Sequence, residues 1–496
     1  MYSKDNLAPL VHELARAGVQ FLSTGGTREF ISQLGYPVLP VEEITGYPSV
    51  FGGRVKTLHP AVFGGILYRR DQPDDVEQAN AHNILPIDLV IVDLYPFEDT
   101  VAGGATDSEI IEKIDIGGIS LIRAAAKNFK AVWIISSRLQ YAEALALMKS
   151  KKCHTDLADR KRFASLAFDV TAHYDTAIFN YFNTERVIPG LRLSVQGALP
   201  LRYGENPHQQ AVYYGALDRL FEKLGGKELS YNNLVDLDAA LQLLGEFKEE
   251  TAFVIIKHTN ACGVATGATV KEAYDKALQA DPVSAFGGIL ATNRPITREA
   301  AEEIHQLFIE ILIAPDYEPE ALALLASKKN RNILKQKEEL TGARHIKSLL
   351  NGVIEQDTDQ QTDGEDNLRV VTRRKPSPAE VKAMLFAARV AKHSKSNTIV
   401  LAREGQMVAS GVGQTSRVDA LRQAIDKAKR FGMPLQGAVM ASDAFFPFPD
   451  CVEIAHGEGI QAVIQPGGSI KDQDSIAFCD SHNMTMVITG FRHFRH

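Results

Sequence analysis

The sequence predicts an α/β protein in which a parallel-sheet domain precedes two similar α/β subdomains. Three observations predict it. Over the first ~185 residues, short apolar runs alternate with helical patterns, as in a parallel sheet covered by helices. TERVIPGLRLSV (184–195) then carries the Pro-Gly punctuation of a linker. After it, strand, Gly-rich loop, helix and strand recur in one order.

Taken in order, MYSKDNLAPLVHELARAG lacks the apolar core of a signal peptide and reads as a loop entering an amphipathic helix. VQFLS is strand-like, and TGGTREFISQLG is a Gly turn opening a helix. IDLVIVDLYPF and AVWIIS are two further buried-strand runs, and a helical pair is expected from Asp156 to about Asn180. The expected domains are 1–185, a linker over 186–195, and a region over 196–496. In that region FVIIKH, VKEAYDKALQAD and SAFGGILA are answered by NTIVLAR, DALRQAIDKAKR and GAVMASDAFFPF, with a boundary near 360–375. Between the copies, QDTDQQTDGEDN (356–367) is wholly polar and reads as an exposed loop.

With 496 residues, 45% of them hydrophobic, about three compact units are expected. The net charge of −7 argues against nucleic acid as the main partner. Cys153, Cys262, Cys451 and Cys479 are far apart and read as reduced thiols of a cytoplasmic protein. No apolar run approaches the ~18 residues of a membrane span.

Several motifs offer chemistry beside a plainer reading. STGGT (23–27) follows a strand and opens a helix, which suits either an anion on backbone amides or a tight turn capped by Thr27. GGRVKTLHP (52–60) alternates Arg54 and Lys56, so both face one way in an extended segment: an anion site, or a solvated basic turn. Asp115 precedes two glycines and a helix ending at Lys127, whose plain reading is a cation on the helix dipole. RYGENPHQ (202–209) is polar and turn-rich; DAFFPFPD (443–450) is an aromatic clamp or a hydrophobic corner; FRHFRH reads as a solvated tail. AFVIIKHTNACG (252–263) ends a buried strand in Lys257 and His258. HGE (456–458) is half of a zinc-deaminase signature whose P-C-x-x-C half is missing, so no metal is expected.

Together these strings, with LYPF, IDIGG, RAAAKN, KSN, GQTSRV and QPGGSI, resemble the bifunctional AICAR transformylase/IMP cyclohydrolase family over essentially the whole chain. The resemblance implies formyl transfer from 10-formyltetrahydrofolate to AICAR, then dehydrative closure of formyl-AICAR to IMP. It implies a methylglyoxal-synthase-like first domain, two cytidine-deaminase-like subdomains, and a homodimer with the transformylase site between subunits. No cofactor is permanently bound; the folate is a co-substrate. His258 matches the general base and Lys257 the group that steadies the oxyanion or the leaving nitrogen. Arg202, Tyr203, Gly287, Glu310, Asn397, Arg417 and Arg492 match the AICAR side, and Phe445, Asp450, Gly467 and Gly468 the folate side. For ring closure, Lys127 matches the proton donor/acceptor and Lys56, Tyr95 and Asp115 its neighbours. Lys4, Ser23, Thr24, Gly25, Gly26, Thr27, Arg54 and Thr57 match the nucleotide's phosphate and ribose.

The family opens with a hydrophobic strand and a serine-rich phosphate loop. This chain starts inside that loop, with Tyr2 in a serine's place, so an impaired cyclohydrolase or a poorly ordered first loop is expected. The alternative that follows is a transformylase with an inactive nucleotide-binding module in front. Asp93 stands where Asn is common, which is expected to weaken nucleotide binding, and Ala261 stands where Pro is common.

Overall fold

The computed structural model describes residues 1–51, 54–340, 342 and 344–496. They divide into two compact units, Met1–Val195 and Gln196–His496, rather than three. The reason is that both copies of the repeat build one sheet.

In the first unit, Phe21–Ser23 pairs with Val38–Pro40 and Leu89–Ile91 with Trp133–Ile135, both in parallel. Among the described residues these are two separate ribbons, not the single sheet expected. One core joins them, with Ile122, Ile134 and Ile135 fully buried. Where a helical pair was expected from Asp156 to about Asn180, the chain forms one long helix, Leu157–Phe182, preceded by Tyr141–Lys151. Asp156 starts the long helix by a reciprocal capping box with Asp159. The segment read as a linker folds back on this helix: Asn180 Nδ2 donates to Arg192 O at 3.2 Å, and Ser194 Oγ lies 2.8 Å from His173 Nδ1.

In the second unit two antiparallel hairpins lie side by side, Thr251–Lys257 with Asn260–Gly267 and Ile399–Arg403 with Gln406–Gly411. They meet where Gln406 pairs with Ala265 and Thr266 N donates to Gly405 O at 2.8 Å. Outward from the first hairpin come Ile289–Thr292, Ile311–Ala314, Asn332–Gln336 and Phe221–Gly225; outward from the second come Val439–Ser442, Ala462–Gln465, Thr485–Ile488 and Arg369–Val370. Each side runs antiparallel, parallel, parallel, antiparallel. The suspected duplication is therefore a structural repeat.

Helices Tyr231–Leu244 and Pro378–Lys392 cover one face of the sheet and share a core that draws on both hairpins. Each starts at a serine capping box, Ser230 with Asn233 and Ser377 with Glu380. The other face carries a separate core for each half. The polar segment 356–367 is only partly a free loop: Asp363 is buried, and Asn367 Nδ2 donates to it at 3.0 Å and to Thr489 O at 3.1 Å. No helix among the described residues is long and apolar enough to cross a membrane.

Candidate active sites

Helix Gly25–Gln33 starts directly after strand Phe21–Ser23, with Thr24 as its extended N-cap and Gly25 at φ +45°. Two ammonium groups stand over this helix start. A Cβ on Gly25 would be 3.7 Å from Lys56 Nζ, and one on Gly26 3.7 Å from Lys4 Nζ. Unpaired amides beneath two cations form a seat for an anion. Ser23 and Thr24 are half-buried beside it, whereas Thr27 turns into the core. Thr57 Oγ1 reaches toward a second helix start, 3.3 Å from where a Cβ on Gly117 would lie. Arg54 does not join this group; its exposed guanidinium pairs with Glu112. The two glycines that open its motif, 52 and 53, lie outside the described residues.

The opening loop is fastened to Asp93. Ser3 N donates to its carboxylate at 2.8 Å and Tyr2 N to its carbonyl at 3.1 Å. An Asp at this position therefore anchors the loop that carries Lys4, and Tyr2 sets its edge on the Tyr95 ring with centroids 6.0 Å apart. Asp115 caps helix Ile116–Lys127, accepting from Gly118 N at 2.6 Å. Burial pushes its carboxyl above the usual range, opposed by the amides of Gly118 and Tyr95. Lys127 is exposed at the far end of this helix, a rise of about 18 Å away. The structure brings Lys4, Lys56, Thr57, Tyr95 and Asp115 to one end of the unit and does not bring Lys127 to them.

In the second unit, His258 and Thr259 form the two-residue turn of the first hairpin, at φ +50° and +63°. Two consecutive positive φ values are the signature of a type I′ turn. The sequence reads as a buried strand ending in Lys257 and His258; the chain in fact reverses there at once into an antiparallel partner. Left-handed backbone costs a non-glycine residue about 1–2 kcal/mol, so this turn is held by its surroundings. Asp236 Oδ1, on helix Tyr231–Leu244, accepts from Thr259 N at 2.7 Å. Asn260 Nδ2 donates to His258 O at 2.9 Å.

Lys257 Nζ donates to Phe286 O at 2.9 Å and Gly287 O at 3.0 Å, which fixes the ammonium beside the imidazole-bearing turn. Arg202 donates to Tyr203 Oη at 2.7 Å with its guanidinium over that ring, 4.6 Å from the centroid. Tyr203 O in turn accepts from Tyr231 N, at the start of the helix that carries Asp236. Glu310 pairs with Lys227 at 3.1 Å, one strand over from Gly287.

The second half meets this turn through Lys395, whose amide donates to Asn260 Oδ1 at 3.4 Å. Two residues on, Asn397 Nδ2 donates to Gln414 O at 2.8 Å. Arg417 donates to Ser442 Oγ at 3.3 Å and lies 3.4 Å from the buried Asp443 carboxylate. The C-terminal residues are not a solvated tail. Phe494 lies against Arg492 and Arg417, with guanidinium-to-centroid distances of 4.3 and 5.8 Å. Ser396 N donates to Arg495 O at 2.9 Å, and buried His493 lies 2.6 Å from Asp359 and 3.6 Å from Asp363. Burial would lower the His493 pKa, but these carboxylates outweigh it and raise it.

On the expected folate side, Phe445 is at the surface and Asp450 opens helix Asp450–Gly457. Gly467 and Gly468 turn at φ +74° and +101°, with the Gly468 amide donating to Asp472 at 2.7 Å. His456 of the half-signature packs on His482 and Phe478. Among the described residues no three His, Cys, Asp or Glu side chains are grouped to hold a metal. Sequence reading missed the roles of Asp236, Asp443 and Phe494; of the two acids in YNNLVDLDAALQLL, Asp236 and Asp238, nothing in the sequence singles out the first.

Comparison with known proteins bears on both sites. Residues 125–427 match the AICARFT/IMPCHase bienzyme family and residues 6–120 an MGS-like domain. The bifunctional purine biosynthesis protein PurH of Bacteroides thetaiotaomicron is 56% identical over all of this chain and 97% of its own length. The PurH proteins of Chloroflexus aurantiacus and Aquifex aeolicus are 46% and 45% identical, again over all of this chain and 98% and 99% of theirs.

Proposed function

Because this chain belongs to the AICARFT/IMPCHase bienzyme family and carries the bifunctional activity of the last two steps of IMP synthesis, we propose that its two units divide the reactions, ring closure in the first and formyl transfer in the second. The observation that carries the second assignment is that the His258 turn directly follows a Lys257 whose ammonium is fixed on the Phe286 and Gly287 carbonyls. The AICAR amine is conjugated to its ring and is a weak nucleophile. His258 takes its proton as the nitrogen attacks the formyl carbon of 10-formyltetrahydrofolate. The new C–N bond forms, the bond from the formyl carbon to the folate nitrogen breaks, and that nitrogen receives a proton. Lys257 spends two of its three N–H groups on carbonyls and turns the third to the oxyanion or the departing nitrogen.

Arg202, Tyr203, Gly287, Glu310, Asn397, Arg417 and Arg492 hold AICAR. Phe445, Asp450, Gly467 and Gly468 face the folate, a co-substrate rather than a resident cofactor. In the first unit, Lys4 and the Gly25–Gly26 helix start take the phosphate of formyl-AICAR, with Ser23, Thr24 and Thr57 on the nucleotide; Thr27 and Arg54 enter this set on the family resemblance alone. The carboxamide nitrogen attacks the formyl carbon, and the formyl oxygen leaves as water. Asp115, whose carboxyl burial pushes above the usual range, and Lys56 move protons beside Tyr95; Lys127 enters this set on the family resemblance alone.

The halves of the second unit are read as cytidine-deaminase-like, and the working protein as a cytoplasmic homodimer whose transformylase site lies between subunits. Its scattered free cysteines fit a reducing compartment. Measuring the two half-reactions separately tests the division. His258→Ala loses formyl transfer by at least about 10²-fold and leaves cyclisation unchanged; equal damage to both in a folded protein overturns it.

A further inference from the structure

The His258–Thr259 turn is an unusual sequence for its geometry. Type I′ turns take Asn-Gly or similar pairs because both positions need positive φ. Here the second position is β-branched Thr259, at φ +63°. The repeat provides an internal comparison. Its sister hairpin turns through Glu404 and Gly405, with glycine at φ +67°.

Each turn is gripped by the helix that covers its half, but by different chemistry. At the sister turn, Lys382 of helix Pro378–Lys392 pairs with the Glu404 side chain at 3.1 Å, both groups exposed. At the first turn, Asp236 of helix Tyr231–Leu244 grips the backbone, accepting from Thr259 N at 2.7 Å. The Asp236 carboxyl is itself largely withdrawn from water, and burial raises its pKa despite that bond and the nearby Lys257 and His258 charges. A half-buried carboxylate on a backbone amide fixes a turn more firmly than an exposed ion pair between flexible side chains.

We propose that Asp236 is a positioning residue for formyl transfer: by holding the Thr259 amide it keeps the strained turn in the one conformation that aims His258 at the AICAR amine. This rests on the reading of His258 as the base, and three variants separate the two claims. Asp236→Ala is expected to lower kcat for formyl transfer about 10²-fold, with KM for AICAR changed less than about threefold and cyclisation unchanged. Asp236→Asn, whose Oδ1 can accept from the same amide, is expected to recover kcat to within about fivefold of the parent. Should Asp236→Ala fail to fold, the asparagine variant decides: its kcat more than about tenfold below the parent overturns the proposal. A parent-like kcat in Asp236→Ala, or a rise confined to KM, also overturns it. His258→Ala with undiminished formyl transfer instead overturns the reading beneath it.

Discussion

The ammonium of Lys257 and the carbonyl of Gly287 stand 3.0 Å apart, and a Cβ on Gly287 would stand equally close to that ammonium. Gly287 also sits at φ +69°, where any other residue is strained. Gly287→Ala is therefore expected to push the ammonium off its carbonyls and lower formyl transfer at least tenfold, with cyclisation unchanged. Steady-state rates of both half-reactions check it.

The geometry of the first unit ranks its cations. Lys56→Ala and Asp115→Asn are each expected to lower cyclisation at least tenfold and spare formyl transfer. Lys127→Ala is expected to do the same on the family resemblance. Full cyclisation in that variant would remove Lys127 from the reaction and leave Lys56 as its ammonium.

Phe494 lies against the guanidinium groups of Arg492 and Arg417. Phe494→Ala removes the ring from both, leaving Arg417 on Ser442 and Asp443, and is expected to raise KM for AICAR up to about tenfold, the scale of one or two cation–π contacts. A KM equal to the parent's would show that the stack does not set the nucleotide site.

Lys392 and Glu246 form a buried pair at 2.7 Å, with His393 Nε2 on the same oxygen at 2.8 Å. Burial would raise the Glu246 pKa, but His393 and Lys392 outweigh it and bring it down to about 2. Burial also lowers His393, with Glu246 opposing. Both groups then bind more protons unfolded than folded, so stability falls as the pH drops. His393 contributes below its ordinary value near 6.5, and Glu246 costs roughly 3 kcal/mol between about pH 4.5 and 2. Denaturant midpoints across that range are expected to fall faster for the parent than for Glu246→Gln. At neutral pH Glu246→Gln is expected to be the less stable by roughly 3–5 kcal/mol, since it leaves the Lys392 ammonium without its carboxylate.

The repeat was legible because each copy writes strand, Gly-rich loop and helix in the same order, and the burial of Phe253 to Ile256 follows from an unbroken apolar run. The turn itself was not. Lys257 and His258 look like the end of a strand, because nothing in His-Thr announces a type I′ reversal; the Asp236 bond that permits it comes from a helix more than twenty residues upstream. Lys127 and Asp115 share a motif, yet the helix between them carries them apart. FRHFRH reads as an exposed tail until Ser396 and Arg495 exchange backbone and hydroxyl bonds.

A chain that spells one architecture twice runs a hazard while it folds, because each half offers slots that the other's strands and helices nearly fit. Exchange of this kind is a characteristic failure of repeat proteins. Lys382 has no lone pair to offer the Thr259 amide, and Asp236 would meet the like charge of Glu404. The unequal grips on the two turns thus disfavour assembly in swapped order.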